Sequence, residues 1–299
     1  MRLYMAGAIS GNLNGFWHEV ARLMKIYLAG GEGRHWLYDP LYKRMNDEAM
    51  EIFMASNGIW RSNGLYDDII ATHHPFILES FYYADADTER LIPLFGDFLL
   101  DSGAFTFMQD NSSHQDWDSY IERYAAFIVR NDIRKYFELD IDSVVGYEKV
   151  KEYRKKLETL TNRPCIPVWH NNRGKDEFIR MCEEYDYVAI GGLVGGNSEY
   201  SQKYWKYFPW FINTAHDHDA KIHALGFTSL KGIEQYHFDS VDSTAWTTGN
   251  RFGYIYHFNG RTMEKIDVPK GKRLGDPRKV ALINYTEWVK FQKYAETHL

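Results

Sequence analysis

Cysteine is scarce in this chain. Cys165 and Cys182 are the only two in 299 residues. That usage fits a reducing compartment. It also leaves too few thiolates for a cysteine-based zinc site, which takes three or four ligands. Long apolar runs are missing as well. None reaches 18 residues and no signal peptide is visible, so the reading is a cytoplasmic protein without a membrane partner. There is no excess of positive charge. The net charge is −6, so any nucleic-acid binding has to come from a local patch. No G-x-G-x-x-G follows a strand, which counts against a dinucleotide-binding sheet. No low-complexity linker divides the chain, so residues 1–299 read as one domain.

What is present is enough for a sizeable core, with 44% hydrophobic and 16% aromatic residues. The length allows one large α/β barrel or two ordinary domains. Near the start, "MRLYMAG" is echoed by "MKIYLAG" at 24–30. "MNDEAMEIFMAS" and "GLYDDIIATHH" then read as helices. A rhythm of short apolar runs and amphipathic stretches follows. The spacing predicts eight strands: Lys25–Ala29, Pro75–Glu79, Asp97–Asp101, Tyr136–Asp140, Cys165–His170, Tyr187–Gly191, Lys221–Gly226 and Phe238–Asp242. Helical patterns fall at Trp117–Arg130, Tyr147–Leu160, Lys175–Tyr185, Tyr200–Asp217 and Leu230–Tyr236. Alternating strands and helices imply a parallel sheet, and eight units imply a closed (β/α)₈ TIM barrel over about 24–250. An open doubly wound sheet is the structural alternative. The tail, about 251–299, alternates apolar and polar residues around Asn259-Gly260, a hairpin signal. A final helix over Pro277–His298 completes a C-terminal appendage.

The candidate chemistry sits at strand ends. "FLLDSGAFTF" delivers Asp101 and then Ser102, Gly103 and Ala104. "FDSVDSTAW" delivers Asp242 and then Ser243 and Thr244. An apolar strand, an acid and a small-residue turn is how a (β/α)₈ barrel presents catalytic groups at its C-terminal rim. Side chains alternate faces along a strand, so Asp242 and Ser240 should point in and Asp239 out. Glu138, Asp140 and Asp142 should share one face of the fourth strand. Carboxylates crowded at one rim have their pKa values pushed apart, which suits a nucleophile beside a general acid/base. The bland alternative is that these acids cap the following helices. Gly191 and Gly192 in "AIGGLVGG" and Gly226 in "HALGF" would let a ligand lie against backbone. His170 could serve a base or satisfy a core carbonyl. His216 and His218 share no helix face and read as a solvated helix end.

These residues resemble a known family. "LLDSGAFTF" resembles the D-S-G-G-F motif of tRNA-guanine transglycosylases. "FELDID", "AIGGLVGG", "HALGF" and "FDSVDSTAW" follow in the order of that family's later barrel motifs. The likeness is nearest to the DpdA-type DNA-guanine transglycosylases, on "SVDSTAWTTGNRFG", and spans roughly 24–256. It implies exchange of guanine for a 7-deazaguanine (preQ0-like) at C1′ of a nucleotide, without a cofactor. By motif, Asp242 matches the nucleophile, Asp101 the general acid/base and Asp140 the acid that reads the base. Ser102, Gly103, His170, Gly191, Gly192 and Gly226 fall around the substrate, with Trp246 and Arg251 nearer the flipped nucleotide. The tRNA enzymes carry a Cys₃His zinc site after the last strand, but no cysteine follows Cys182 here. That departure implies a missing zinc subdomain and favours DNA over tRNA as the polymer partner. The cytoplasm would be a host's if a phage encodes the chain. Lys270, Lys272 and Arg273 are the expected DNA-backbone clamp. The competing readings are exchange into tRNA, and a nucleosidase or glycoside hydrolase on the same barrel. A homodimer is an option the sequence leaves open.

Overall fold

Residues 51–56, within the stretch expected to be helical, form a strand. β1 (Glu51–Ser56) is buried at five of its six positions. A parallel strand covered on both faces reads as an unbroken apolar run, which periodicity cannot tell from a buried helix. In this computed structural model the residues described are 50–56, 58–61, 64–103, 106, 116–192, 204–227, 229–267 and 275–299. All of them fall within Ala49–Leu299. The expected strand Lys25–Ala29 and the "MRLYMAG" echo lie outside them.

The other barrel strands are β2 (Phe76–Ser80), β3 (Asp97–Asp101), β4 (Lys135–Tyr136), β5 (Val168–Trp169), β6 (Tyr187–Ile190), β7 (Lys221–Ala224) and β8 (Ser240–Ser243). They form one parallel sheet in the order β4-β3-β2-β1-β8-β7-β6-β5. β1 joins the halves, pairing Phe53 with Asp242 on one side and Ala55 with Leu78 on the other. The ring closes between β4 and β5 through a parallel bridge at Phe137 and Ile166. There Ile166 N donates to Tyr136 O at 2.8 Å and Glu138 N donates to Ile166 O at 3.0 Å. The fold is a (β/α)₈ barrel.

Two apolar clusters follow from the strand period of two. Phe53, Ala55, Leu78, Leu99, Phe137, Ile166, Val168 and Ala189 fill the ring. Alternate residues such as Ile52, Met54, Leu100, Val188 and Val241 pack outward against the helices. The described helices are α1 (Asp67–His73), α2 (Ala86–Leu91), α3 (Trp117–Arg130), α4 (Asp142–Val145), α5 (Tyr147–Thr161), α6 (Lys175–Glu184), α7 (Phe208–Asp217), α8 (Leu230–Gln235), α9 (Gly249–Phe252) and α10 (Pro277–His298). No described helix is long and apolar enough to cross a membrane.

The tail forms the expected hairpin and helix. β9 (Tyr254–Phe258) pairs antiparallel with β10 (Met263–Asp267). Gly260 sits at φ +94°, where only glycine is unstrained. Asn259 Oδ1 accepts from the amides of Arg261 and Thr262, each at 3.0 Å. α10 stitches this hairpin to the barrel. Asn284 and Glu287, three apart on one face, accept from alternate β9 amides, Tyr256 N and Phe258 N, each at 2.7 Å. Buried Gln292 meets the wall itself, accepting from Phe76 N and donating to Phe76 O, each at 2.9 Å.

Candidate active site

Parity decides which acids enter the mouth. Leu99 lies inside the ring and Val241 outside it, so Asp101 and Asp242 both point in. Burial pushes the Asp101 carboxyl up to about 7, and the charges of Asp140 and then Asp242 add to the rise. The Gly103 amide, donating to Asp101 Oδ2 at 2.9 Å, works the other way. The three carboxylates therefore feel one another, as expected for a shared rim.

Asp242 is held from one side. The Gly226 amide donates to its Oδ1 at 2.6 Å, and His223 Nε2 lies 3.2 Å from the same oxygen. Among the described residues nothing hydrogen-bonds to Oδ2. His223 is fully buried, its ring against Phe53 and Phe137. Its Nδ1 is 2.6 Å from Ser240 Oγ, which in turn meets the Tyr187 hydroxyl. One proton arrangement satisfies the whole chain with a neutral ring: Tyr187 donates to Ser240, Ser240 to His223, and His223 to Asp242. The sequence reading missed both His223 and Tyr187. The available signal was parity, because His223 is at an inward position on β7 beside Ser240. Ser240 itself points in as expected. Asp239 points out, accepting from Ile222 N at 2.7 Å and lying 3.0 Å from His216 Nε2. His216 is thus tied to an acid rather than merely solvated.

The fourth strand corrects an expectation. It ends at Tyr136, with one further bridge at Phe137, so Glu138, Asp140 and Asp142 do not share a strand face. Glu138 is fully buried and turned outward, held by Arg154 at 2.7 Å and Arg173 at 2.8 Å. Asp142 opens α4 and accepts from Asn172 at 2.9 Å. Asp140 alone turns to the mouth, 3.1 Å from His170 Nε2. His170 is thus paired to an acid rather than to a core carbonyl.

The expected glycines divide. Gly103 is at φ +77°, and a Cβ there would come within 2.8 Å of Tyr82 Cβ. It shapes the turn that aims Asp101. Gly191 spends its amide on Trp169 O at 2.8 Å, so that donor is not open to a ligand. A Cβ on it would lie 2.8 Å from His170 Cε1, so its bareness seats the histidine. Gly192 is exposed and left-handed, at φ +72°. Gly226 turns its amide to Asp242 rather than to an incoming base.

Two expected substrate contacts are corrected. Ser102 is fully buried and its carbonyl accepts from the Tyr120 hydroxyl at 2.5 Å. Trp246 is 1% exposed, donates its Nε1 to Ala55 O at 2.9 Å and packs on Tyr66 and Tyr285. Both are core residues that hold the rim from behind. The Arg251 side chain and the expected clamp Lys270, Lys272 and Arg273 lie outside the described residues. One fully buried acid escaped the sequence reading. Glu79 on β2 faces outward, accepts from Ser56 Oγ at 2.6 Å and Ser80 N at 2.8 Å, and is raised to about 7 by burial. Among the described residues no group of three or more His, Cys, Asp or Glu has the arrangement of a metal site.

The class defined by this geometry is a (β/α)₈ barrel with three interacting carboxylates at its C-terminal rim. No family model matches the chain, and no curated protein does. Among solved structures, the chain is similar to the carboxyl transferase domain of Rhizobium etli pyruvate carboxylase. The identity is 11% and the TM-score 0.43, covering 87% of this chain and 51% of that one. The chain thus spans about half the length of that structure. It is also similar to a GH10 endoxylanase from a sugarcane soil metagenome, at 9% identity and TM-score 0.40, covering 81% of this chain and 98% of the other. A D-allulose 3-epimerase from Methylomonas sp. aligns at 12% identity and TM-score 0.30, covering 82% and 98%.

Proposed function

We propose that this chain is an enzyme, a base-exchange glycosyltransferase that replaces guanine in DNA with a 7-deazaguanine through an aspartyl-glycosyl intermediate. The observation that carries the reading is Asp242, held through Oδ1 with no described hydrogen bond to Oδ2, near enough to Asp101 for their charges to interact, while Asp101 holds a proton to about pH 7. A base in a duplex must first be flipped out to reach such a mouth. Asp242 Oδ2 attacks C1′, the C1′–N bond to guanine breaks, and Asp101 supplies the proton that the departing base takes up. The incoming 7-deazaguanine returns a proton to Asp101 and attacks C1′, breaking the bond to Asp242. Two inversions give net retention. One N-glycosidic bond replaces another, so no redox group or nucleotide triphosphate enters the balance.

Support for DNA comes from the "SVDSTAWTTGNRFG" segment and from the lack of cysteine after Cys182. Asp242→Asn keeps the shape and removes the nucleophilic oxygen. The wild-type chain should give a denaturation-resistant adduct with a guanine-containing oligonucleotide, and the variant should give none. A normal adduct in the variant would sink the assignment. Mass spectrometry of nucleosides from DNA and tRNA of expressing cells decides the polymer: 7-deazaguanine in tRNA but never in DNA overturns the DNA reading.

A further inference from the structure

The segments that follow β7 and β8, together with the hairpin, enclose a cavity of about 400 Å³ that the mechanism does not use. Ser229 lines it from the β7 loop, Thr244 and Thr248 from the segment after β8, and Tyr254, Tyr256 and Lys265 from the hairpin. The loops after the seventh and eighth strands are where (β/α)₈ barrels frequently hold phosphate.

Lys265 supplies the charge. Its Nζ stands 4.6 Å from the Tyr254 ring centre and 5.7 Å from that of Tyr256. It makes no ion pair with a described residue, whereas Lys135, Lys156 and Lys290 are each held by carboxylates. An ammonium steadied by two ring faces keeps its N–H groups for an anion. Tyr254 has a second ring neighbour, Phe252, which lies parallel to it (5° between planes) with centroids 6.5 Å apart and is 62% exposed. An exposed aromatic and a cation without an ion pair to a described residue, both neighbours of Tyr254 at a hydroxyl-bearing cavity, match the needs of one nucleotide: a positive group for the phosphodiester and a flat ring for the base. Trp246, the residue expected to stack, is buried and cannot do so.

We propose that this cavity, with Phe252, is the subsite for the nucleotide adjoining the target in the polynucleotide. Lys265 takes its phosphodiester and Phe252 stacks on its base. The assignment rests on the base-exchange reading for the identity of the polymer, but its test does not depend on turnover.

The test is the affinity of the full chain for a short fluorescein-labelled single-stranded deoxyoligonucleotide containing one guanine, measured against salt. Lys265→Gln should shallow the slope of log affinity on log salt by about 0.7, one phosphate's share. Phe252→Ala should weaken binding about 5- to 100-fold and leave the slope alone. Lys156→Gln, on the outer helix α5, should change neither, and all three should melt with the wild type. An unchanged slope in Lys265→Gln, full affinity in Phe252→Ala, or no binding by the wild-type chain overturns the subsite. Deoxyguanosine monophosphate binding as tightly as the oligonucleotide overturns its assignment to a polymer. An intact salt response without an Asp242 adduct sinks base exchange alone. An adduct with no salt response sinks the subsite alone.

Discussion

Both hydrogen bonds to Asp242 from described residues land on one oxygen, and that detail sets what its neighbours can do. His223 touches no substrate in this arrangement; it positions. A hydrogen bond to a charged group is worth about 1.5–3 kcal/mol, so His223→Leu should lower kcat about 10- to 150-fold with a small change in KM. His223→Gln keeps a donor toward Asp242 and an acceptor toward Ser240, and should recover most of that loss. Equal damage from both variants would mean that the ring matters only for packing. Asp101 carries part of the pH dependence, beside Glu79, which burial also raises to about 7. Unfolded, the Asp101 carboxyl ionises near about 4; folded, at about 7. Between those values the folded chain keeps a proton that the unfolded chain has released. Its contribution to stability therefore falls as pH rises from about 4 to about 7 and is flat above. Asp101→Asn keeps an oxygen for the Gly103 amide and removes the Asp101 share of the slope, leaving that of Glu79. Urea unfolding should show the variant gaining on the wild type between pH 5 and pH 8, with activity down about 10²–10⁴-fold. Were exchange to fall less than about tenfold, Asp140 would take the acid/base role.

At the scale of elements, the short strands β4 and β5 are the weak course of the wall, joined by a single bridge. The opposite side leans on α10. Gln292 imitates a strand there, closing both polar groups of Phe76 while fully buried. Gln292→Ala strands a buried amide and carbonyl and should cost about 1–3 kcal/mol in chemical unfolding. A loss within the scatter of surface substitutions would show that water replaces the side chain. Helices such as α3 were legible because an amphipathic stretch and a capping acid agree: Asp116 accepts from Ser119 N at 3.2 Å. β1 was not, because its burial on both faces erases the period that tells strand from helix.

For the whole molecule, the ring of eight strands and the α10 contacts that brace it are contained in Ala49–Leu299. A chain truncated to residues 49–299 should therefore unfold in one cooperative transition. A broad, non-cooperative melt would place part of the barrel's support before residue 49. Alternation of apolar runs with amphipathic stretches was enough to read a parallel barrel and seven of its eight strands, because each unit must bury a two-sided strand under a one-sided helix, but the first strand was placed at Lys25–Ala29 instead of Glu51–Ser56. The sequence also marked Asp101 and Asp242 as inward acids, since strand parity is a local property. Only the tertiary structure decided the rest. It turned Glu138 away from the mouth toward Arg154 and Arg173, and it buried Ser102 and Trp246. It brought His223, Ser240 and Tyr187 onto one path behind Asp242. Those outcomes depend on where a strand stops and on which residues of different strands meet at one level of the ring. Register of that kind is set by packing among all eight strands and is written in none of them singly.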